Sequence, residues 1–417
     1  MSVSVYKNAS LAQKPGLYDI VVKDGKFEEI APNAAAKYPD ATVEDLGGAL
    51  VCEPFVDAHI HFDYFYTANL GSKANGSGTL FEAIDNWSEF KKTLDKKAVR
   101  ARALKGIRQM IENGVQYART HVDVTNDRQT ALEVMLELKE ELKNYMQIQI
   151  VAFPQEGYYA YEGGDKCVEL ALKLGADVVG GIPHFEFTRE EGVRSVEKGF
   201  ELAQKYDKLI DFHCDESDDE QSRFSEVLAS LAYHNGMQGR VTASHTCAMG
   251  SYNGAYAFKM MTKYKKAGLN FVSCPTENCY LQGRFDGFPQ RRGLTRVEQL
   301  TENGINVSFA QDSISDPWYP LGNGSLIHQL DFGLHLAHMM SVEQIESSLK
   351  FITTNGAKTM RVDDYGLEKG KSANFVVLSD NNVIDAVRNT SHVLLSVRQG
   401  RVIMRKKREE LTTKLPE

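Results

Sequence analysis

A His-Ile-His motif near the start of the chain has the residue types and spacing of a metal chelate. His59 and His61 end a largely apolar run. Residues two apart on an extended chain face the same side, so both imidazoles can bind one ion. Three further candidates end later apolar runs: His213, His245 and Asp312. Imidazole and carboxylate ligands suit zinc or ferrous iron, with one position left open for water.

An acid close to this set predicts hydrolytic chemistry. Glu216 lies three residues after His213. A carboxylate beside an activated water can accept its proton and pass it to a leaving nitrogen. We interpret His121 and His184 as structural residues rather than ligands. The side chain of Cys214 should point away from that of His213 on an extended chain, so nucleophilic cysteine catalysis has little support.

Eight extended runs separated by amphipathic helical patterns must position these side chains. The predicted strands are 55–59, 115–122, 148–153, 177–180, 209–213, 241–245, 270–273 and 306–310. The clearest predicted helices are 131–144, 194–206 and 225–234. Eight strand-then-helix units predict an α/β fold of the TIM-type (β/α)8 barrel class, whose chemistry lies at the carboxyl ends of its strands. A doubly wound open sheet is the alternative, which the strand count does not exclude.

Both ends of the chain carry short strand patterns that predict one small β-rich domain. The patterns are 17–23, 373–378, 393–397 and 401–404. We expect this domain to comprise residues 1–53 and 367–417, and the barrel to comprise residues 54–366.

The bulk composition excludes several classes of protein. The net charge is −8 and the pI is near 5.8, which argues against binding to nucleic-acid phosphates. No run approaches 18 apolar residues, so we expect no membrane span, and the amino terminus has no secretory pattern. The six cysteines form no CxxC pair, which predicts reduced thiols and a cytoplasmic enzyme.

Motifs along nearly the whole chain resemble the cytosine deaminase branch of the amidohydrolase superfamily. They include Phe-Val-Asp-Ala-His-Ile-His at 55–61, Ser-Gly-Thr-Leu-Phe-Glu at 77–82, Arg-Thr-His-Val-Asp at 119–123, Val-Ala-Phe-Pro-Gln-Glu-Gly at 151–157, Ile-Pro-His-Phe-Glu-Phe-Thr-Arg-Glu at 182–190, His-Cys-Asp-Glu at 213–216, Asp-Asp-Glu-Gln-Ser-Arg-Phe at 218–224, Thr-Ala-Ser-His-Thr at 242–246, Leu-Gln-Gly-Arg-Phe-Asp at 281–286 and Asp-Pro-Trp-Tyr-Pro-Leu-Gly at 316–322. The resemblance implies a (β/α)8 barrel flanked by a small β-sandwich.

The resemblance also implies roles for the polar residues. One divalent metal ion, zinc or iron, is expected on His59, His61, His213 and Asp312. The catalytic residues are expected to be Glu216, His245 and Asp312. Glu216 is expected to carry protons between water, the ring nitrogen and the amine, and His245 to hold the attacking water and stabilise the developing charge.

Substrate contacts and assembly follow from the same resemblance. Gln155 is expected to read the carbonyl and amide edge of the ring, with the backbone around Leu80. Trp318 is expected to pack against the ring. The resemblance implies a small-molecule substrate and a homo-oligomer.

The chain departs from the family around the last barrel strand. The family has His-Asp-Asp followed two residues later by Phe, whereas this chain has Gln311-Asp312-Ser313 and then Ser315. The segment 274–280 also differs. Two serines remove a charge and add space beside the reacting carbon, so we count both among the substrate-binding residues and expect a substrate shaped differently from cytosine.

The predicted reaction is the release of ammonia from a small cyclic amidine. Creatinine is narrowly favoured, with N-methylhydantoin as product; the alternative is cytosine or a 5-substituted cytosine. Two other classes remain open: a two-metal cyclic-amide hydrolase and an inactive scaffold. Against the first, no lysine ends the fourth strand region at 178–186 to bridge two metals. Against the second, the complete ligand set and Glu216 are present.

Overall fold

Strands and helices alternate along the middle of the chain. The computed structural model describes residues 3–12, 14–70, 74–126 and 128–407. Its strands are β1 (Val3–Leu11), β2 (Lys14–Lys23), β3 (Lys26–Ala31), β4 (Thr42–Asp45), β5 (Leu50–Cys52), β6 (Phe55–Ile60), β7 (Val115–Asp123), β8 (Gln147–Phe153), β9 (Val178–Gly181), β10 (Leu209–Cys214), β11 (Val241–His245), β12 (Asn270–Ser273), β13 (Asn306–Phe309), β14 (Phe375–Leu378), β15 (Val393–Arg398) and β16 (Arg401–Arg405).

The α-helices in the same residues cover most of the segments between these strands. They are α1 (Leu80–Phe90), α2 (Lys96–Glu112), α3 (Thr130–Glu141), α4 (Gly164–Leu174), α5 (Arg189–Tyr206), α6 (Phe224–His234), α7 (Gly254–Ala267), α8 (Pro275–Leu281), α9 (Val297–Glu302), α10 (Leu326–Ala337), α11 (Val342–Glu346), α12 (Thr354–Met360) and α13 (Val383–Arg388). The predicted helix 194–206 begins earlier, at Arg189, because the Thr188 side chain caps its first turn by accepting a hydrogen bond from the Glu191 amide.

The central sheet is a closed barrel. Strands β6 to β13 pair in parallel and in chain order. A bridge between Ile60 and Asp312 joins the two ends of the sheet. There the Asp312 amide donates to the His59 carbonyl at 3.0 Å, and the His61 amide donates to the Asp312 carbonyl at 3.1 Å. The predicted (β/α)8 barrel is confirmed, and the open-sheet alternative is wrong.

In the apolar layer between the barrel and the helices, the backbone at two glycines lies directly against a buried aromatic ring. Phe212 on β10 is fully buried. A Cβ atom added to Gly181 on β9 would lie 2.5 Å from its ring, and one added to Gly199 on α5 would lie 2.4 Å away. Because Phe212 faces the helices, the neighbouring Asp211 and His213 face the barrel interior.

Both chain ends contribute to one mixed sheet. Its strand order is β16-β15-β14-β5-β1-β2-β3, with β4 beside β1. β5 leads into the first barrel strand through a two-residue link, and it pairs antiparallel with β14. The Gln116 side chain on β7 donates to Ser396 Oγ at 3.0 Å and to the Val397 carbonyl at 2.8 Å, which ties the sheet to the barrel. The exact boundaries between the two domains stay a prediction. None of the helices described above is both long enough and apolar enough to span a bilayer.

The contact between Gly199 and Phe212 predicts a local stability effect. Gly199→Ala forces a methyl group against a buried ring, so we expect a loss of about 1–3 kcal/mol in the free energy of unfolding. Urea denaturation followed by circular dichroism measures it. Gly254→Ala on α7 is the matched control, because its new Cβ meets nothing within 4 Å. Equal stability of the two variants would contradict the proposed packing.

Candidate active site

Four predicted metal ligands converge at the carboxyl end of the barrel. The Nε2 atoms of His59 and His61 lie 3.4 Å and 3.5 Å from Asp312 Oδ1. The Nε2 atom of His213 lies 3.1 Å from that of His61. All four residues are buried. Strands β6, β10 and β13 therefore bring together residues from three distant parts of the chain.

The chemistry of this donor set fits a divalent cation. Burial lowers the pKa of His59 to about 4 and that of His61 to about 3, so both rings are neutral at physiological pH. His59 Nε2 has no hydrogen-bond partner among the described residues. The imidazole nitrogens and the carboxylate are buried acceptors with too few hydrogen-bond donors around them. A bound cation would compensate these acceptors.

A chain of hydrogen bonds orients the first of these ligands. His59 Nδ1 lies 3.0 Å from Ser244 Oγ, and Ser244 donates to Asp211 Oδ1 at 2.7 Å. Asp211 Oδ2 accepts from Arg119 Nη1 at 2.8 Å. Such partners hold the ring orientation and keep the other ring nitrogen free to bind metal.

The predicted proton carrier lies beside the ligand set. His245 Nδ1 is 3.5 Å from Glu216 Oε1 and 3.7 Å from Asp312 Oδ2. Burial, together with the charge of Asp312, raises the pKa of Glu216 well above its usual range. His245 and Asp312 both have left-handed backbones, with φ of 69° and 67°. Strained conformations of this kind cluster at functional sites.

A small cavity above these residues is the candidate substrate pocket. It is lined by His61, Tyr64, Leu80, Gln155, Ile182, His213, Glu216, His245, Glu277, Asp312, Ser313 and Trp318. The predicted substrate contacts Leu80, Gln155, Ser313 and Trp318 are therefore brought together. Ser315 is not among the lining residues. Its backbone is left-handed, with φ of 55°, and its N–H donates a hydrogen bond to the Leu321 carbonyl at 2.6 Å, so Ser315 lies in the turn after Asp312. Its assignment as a substrate-binding residue stays a prediction, and the cavity lining does not support it.

Tyr64 is a pocket residue that the sequence analysis missed. Its ring lies 4.6 Å from the His61 ring at 5° and 4.7 Å from the Trp318 ring at 20°, measured between centroids. Its hydroxyl donates to Gln155 Oε1 at 2.9 Å, which leaves the Gln155 amide N–H groups to donate elsewhere. An aromatic residue three positions after the His-Ile-His motif was the available signal.

Glu277 is the second missed residue. It lies on α8, a short helix after β12, and is buried in the wall of the pocket. Its Oε2 atom has no hydrogen-bond partner among the described residues. The altered segment 274–280 was the available signal, but a sequence does not show which side chain of so short a helix faces inward.

The residues interpreted as structural lie around the site. The His121 ring packs against His59, with centroids 3.9 Å apart. His184 lines an outer pocket that shares Leu80 and Glu216 with the candidate substrate cavity. Cys214 lies in the apolar cluster between barrel and helices, as the alternation of side chains along β10 predicts.

The fold and the site together define a metal-dependent barrel hydrolase. Residues 42–404 match the family described as "Amidohydrolase family", and the chain belongs to that family. It lies in the cytosine deaminase branch and is an enzyme that hydrolyses C–N bonds. The histidines and aspartate of the site imply a divalent metal ion.

Three similar proteins cover nearly the whole chain. The structure of 5-methylcytosine deaminase from Klebsiella pneumoniae liganded with 5-fluorocytosine is 48% identical, covers 98% of this chain and 99% of that chain, and has a TM-score of 0.95. N-isopropylammelide isopropyl amidohydrolase of Pseudomonas sp. (strain ADP) is 30% identical over 407 residues, which are 96% of this chain and 97% of that protein. Pterin deaminase of Rhizobium rhizogenes is 26% identical and covers 93% of this chain and 86% of that protein.

The bond between Ser244 and His59 predicts an effect on metal retention. Ser244→Ala removes the partner of His59 Nδ1, so we expect metal affinity to fall roughly 10- to 100-fold. Chelator competition followed by elemental analysis measures it. Ser308→Ala is the matched control, because the Ser308 hydroxyl is buried on β13 without a hydrogen-bond partner among the described residues. Equal metal loss from both variants would contradict the orienting role of Ser244.

Proposed function

We propose that the protein deaminates cytosines that carry a small substituent at carbon 5, converting 5-methylcytosine and water to thymine and ammonia. The observation that carries this proposal is the 48% identity and TM-score of 0.95 to 5-methylcytosine deaminase over nearly the full length of both chains. The comparisons give no support to creatinine, which the sequence analysis narrowly favoured. They favour its alternative, a 5-substituted cytosine.

The shape and polarity of the pocket support a flat ring with amide character. Tyr64 and Trp318 stack face to face at its wall, which suits an aromatic heterocycle. The Gln155 amide is oriented by Tyr64 and can donate to a ring carbonyl. Ser313 is small and lines the cavity, so it leaves room beside the reacting carbon for a methyl group.

We assign the metal to His59, His61, His213 and Asp312. Zinc and ferrous iron both suit two or three imidazoles with a carboxylate, and we propose one such ion per chain. When bound, the ion supplies Lewis acidity that lowers the pKa of a water molecule toward neutrality.

We assign proton transfer to Glu216. Its carboxylate lies beside His245 and close to the ligand set, within a buried site. Glu216 takes a proton from the attacking water and gives it to the ring nitrogen next to the amidine carbon. It then relays the second proton of that water, from the newly added hydroxyl, to the leaving amine, so that the carbonyl forms as ammonia departs. His245 holds the water and stabilises the charge that develops on oxygen. The homo-oligomeric state and the cytoplasmic location stay predictions.

Ammonia release from a substrate panel tests the proposed function. The metal-loaded protein receives 5-methylcytosine, cytosine and creatinine side by side. We expect the highest kcat/KM with 5-methylcytosine, and a roughly 10²- to 10⁴-fold loss in kcat for Glu216→Gln, because general acid–base catalysis is removed. Release mainly from creatinine, or from none of the three, would overturn the proposal.

Ser313→Asp tests the room for the 5-substituent. A larger charged side chain fills the space, so we expect kcat/KM for 5-methylcytosine to fall roughly 10- to 200-fold relative to cytosine, the usual value of one misplaced methyl group. Ser315→Asp is the matched control, because Ser315 lies outside the cavity lining. A parallel loss with both substrates would argue against this role for Ser313.

A further inference from the structure

Glu277 is a buried carboxylate that lacks a sufficient set of donors within the protein. The Ser313 side chain interacts with both Glu277 and Asp316. A hydroxyl carries one proton and can satisfy only one of two carboxylates. Asp316 also accepts at Oδ1 from the Trp318 and Tyr319 amides, both at 3.0 Å. Among the described residues, Glu277 has no such backbone donors, and its Oε2 atom is unpartnered, as is Asp316 Oδ2.

No cationic side chain compensates this carboxylate within the pocket. Three carboxylates line the cavity, those of Glu216, Glu277 and Asp312, and its lining residues include no lysine or arginine. A buried acceptor without a donor costs free energy, which a bound N–H group repays. The pocket is therefore complementary to a ligand that presents N–H donors to this wall.

The barrel places Glu277 opposite the group that reads the ring carbonyl. Gln155 follows β8 and Glu277 follows β12, and these strands lie four positions apart in a closed eight-stranded barrel. They therefore occupy opposite sides of the barrel mouth. Glu277 lies on the side of Asp312 and Ser313, where the amidine carbon and its amino group are expected if Gln155 binds the carbonyl.

We propose that Glu277 is a specificity-determining residue that accepts a hydrogen bond from the amino group of the substrate and disfavours the carbonyl that replaces it in the product. The inference rests on the proposed deamination. Deamination replaces an N–H donor with an oxygen acceptor at the same carbon, so Glu277 in its ionised form attracts the substrate and repels the product. Glu277 thereby favours substrate binding and product release together.

The test compares substrate and product affinity in the metal-loaded enzyme. For each variant, KM and kcat for 5-methylcytosine and the inhibition constant of thymine are measured, with metal content as a check on folding. In Glu277→Gln we expect KM to rise roughly 10- to 100-fold, the effect of losing a charged hydrogen bond. Because glutamine can donate to a carbonyl, we expect the thymine inhibition constant to fall or stay unchanged.

Two further variants separate recognition from structure. Glu277→Asp keeps the charge on a shorter side chain. We expect the ratio of KM for 5-methylcytosine to the inhibition constant of thymine to shift in the same direction as in Glu277→Gln, but by less. This variant provides the test if Glu277→Gln does not fold. Trp318→Phe keeps an uncharged aromatic ring at the pocket wall, so we expect both affinities to weaken while their ratio stays unchanged.

The outcomes distinguish this inference from the proposed function. A wild-type enzyme that releases ammonia from 5-methylcytosine, with both Glu277 variants leaving the ratio unchanged, overturns the inference alone. Equal weakening of 5-methylcytosine and thymine in Glu277→Gln overturns it as well, because it indicates a merely structural acid. A wild-type enzyme without activity on 5-methylcytosine overturns the proposed function and this inference with it.

Discussion

The whole site depends on closure of the barrel between its first and last strands. The bridge of Ile60 to Asp312 is made by backbone hydrogen bonds within the very residues that are expected to bind metal. His59 and Asp312 are far apart in sequence, and only this closure brings their side chains within 3.4 Å. Asp312 adopts its left-handed backbone at this point, where the strand ends and its carboxylate turns over the barrel mouth.

Different kinds of polar groups occupy different levels of the closed barrel. Its mouth holds carboxylates and neutral imidazoles, whereas the cation Arg119 lies fully buried and paired with Asp211. Removing charges from water is costly unless they are paired, so this ion pair is a fixed anchor rather than a large net source of stability. Through Ser244 it orients His59, which links the interior of the barrel to the ligand set.

The hydrophobic periodicity of the sequence was sufficient to predict most of the fold. The eight barrel strands and the mixed sheet follow from runs whose alternation or apolar length is typical of strands. The clustering of the predicted metal ligands was predictable because strand ends meet at one face of a barrel. The periodicity did not predict which side chains of the segments after the strands face the pocket. Ser315 itself has a left-handed backbone, which ends the alternation of side chains. Glu277 lies on a helix of 7 residues, about two turns, whose orientation depends on tertiary packing.

The substrate was the hardest feature to predict because it depends on the pocket wall rather than on the ligands. Loss of the second aspartate was visible at Ser313, and it suggested a changed substrate. The sequence did not reveal that Tyr64 stacks with Trp318 or that Glu277 adds another carboxylate. Several different cyclic amidines were therefore compatible with the same motifs. The motifs gave no sufficient reason to prefer creatinine among them.

The sheet built from both chain ends has a consequence for biosynthesis. β5 receives its partner β14 only after the entire barrel sequence has been translated. At ordinary rates of translation this interval lasts roughly tens of seconds. During that time the β5 edge is open to pairing with other chains, a recognised route to aggregation. The nascent chain is therefore expected to be most vulnerable just before its last strands emerge from the ribosome.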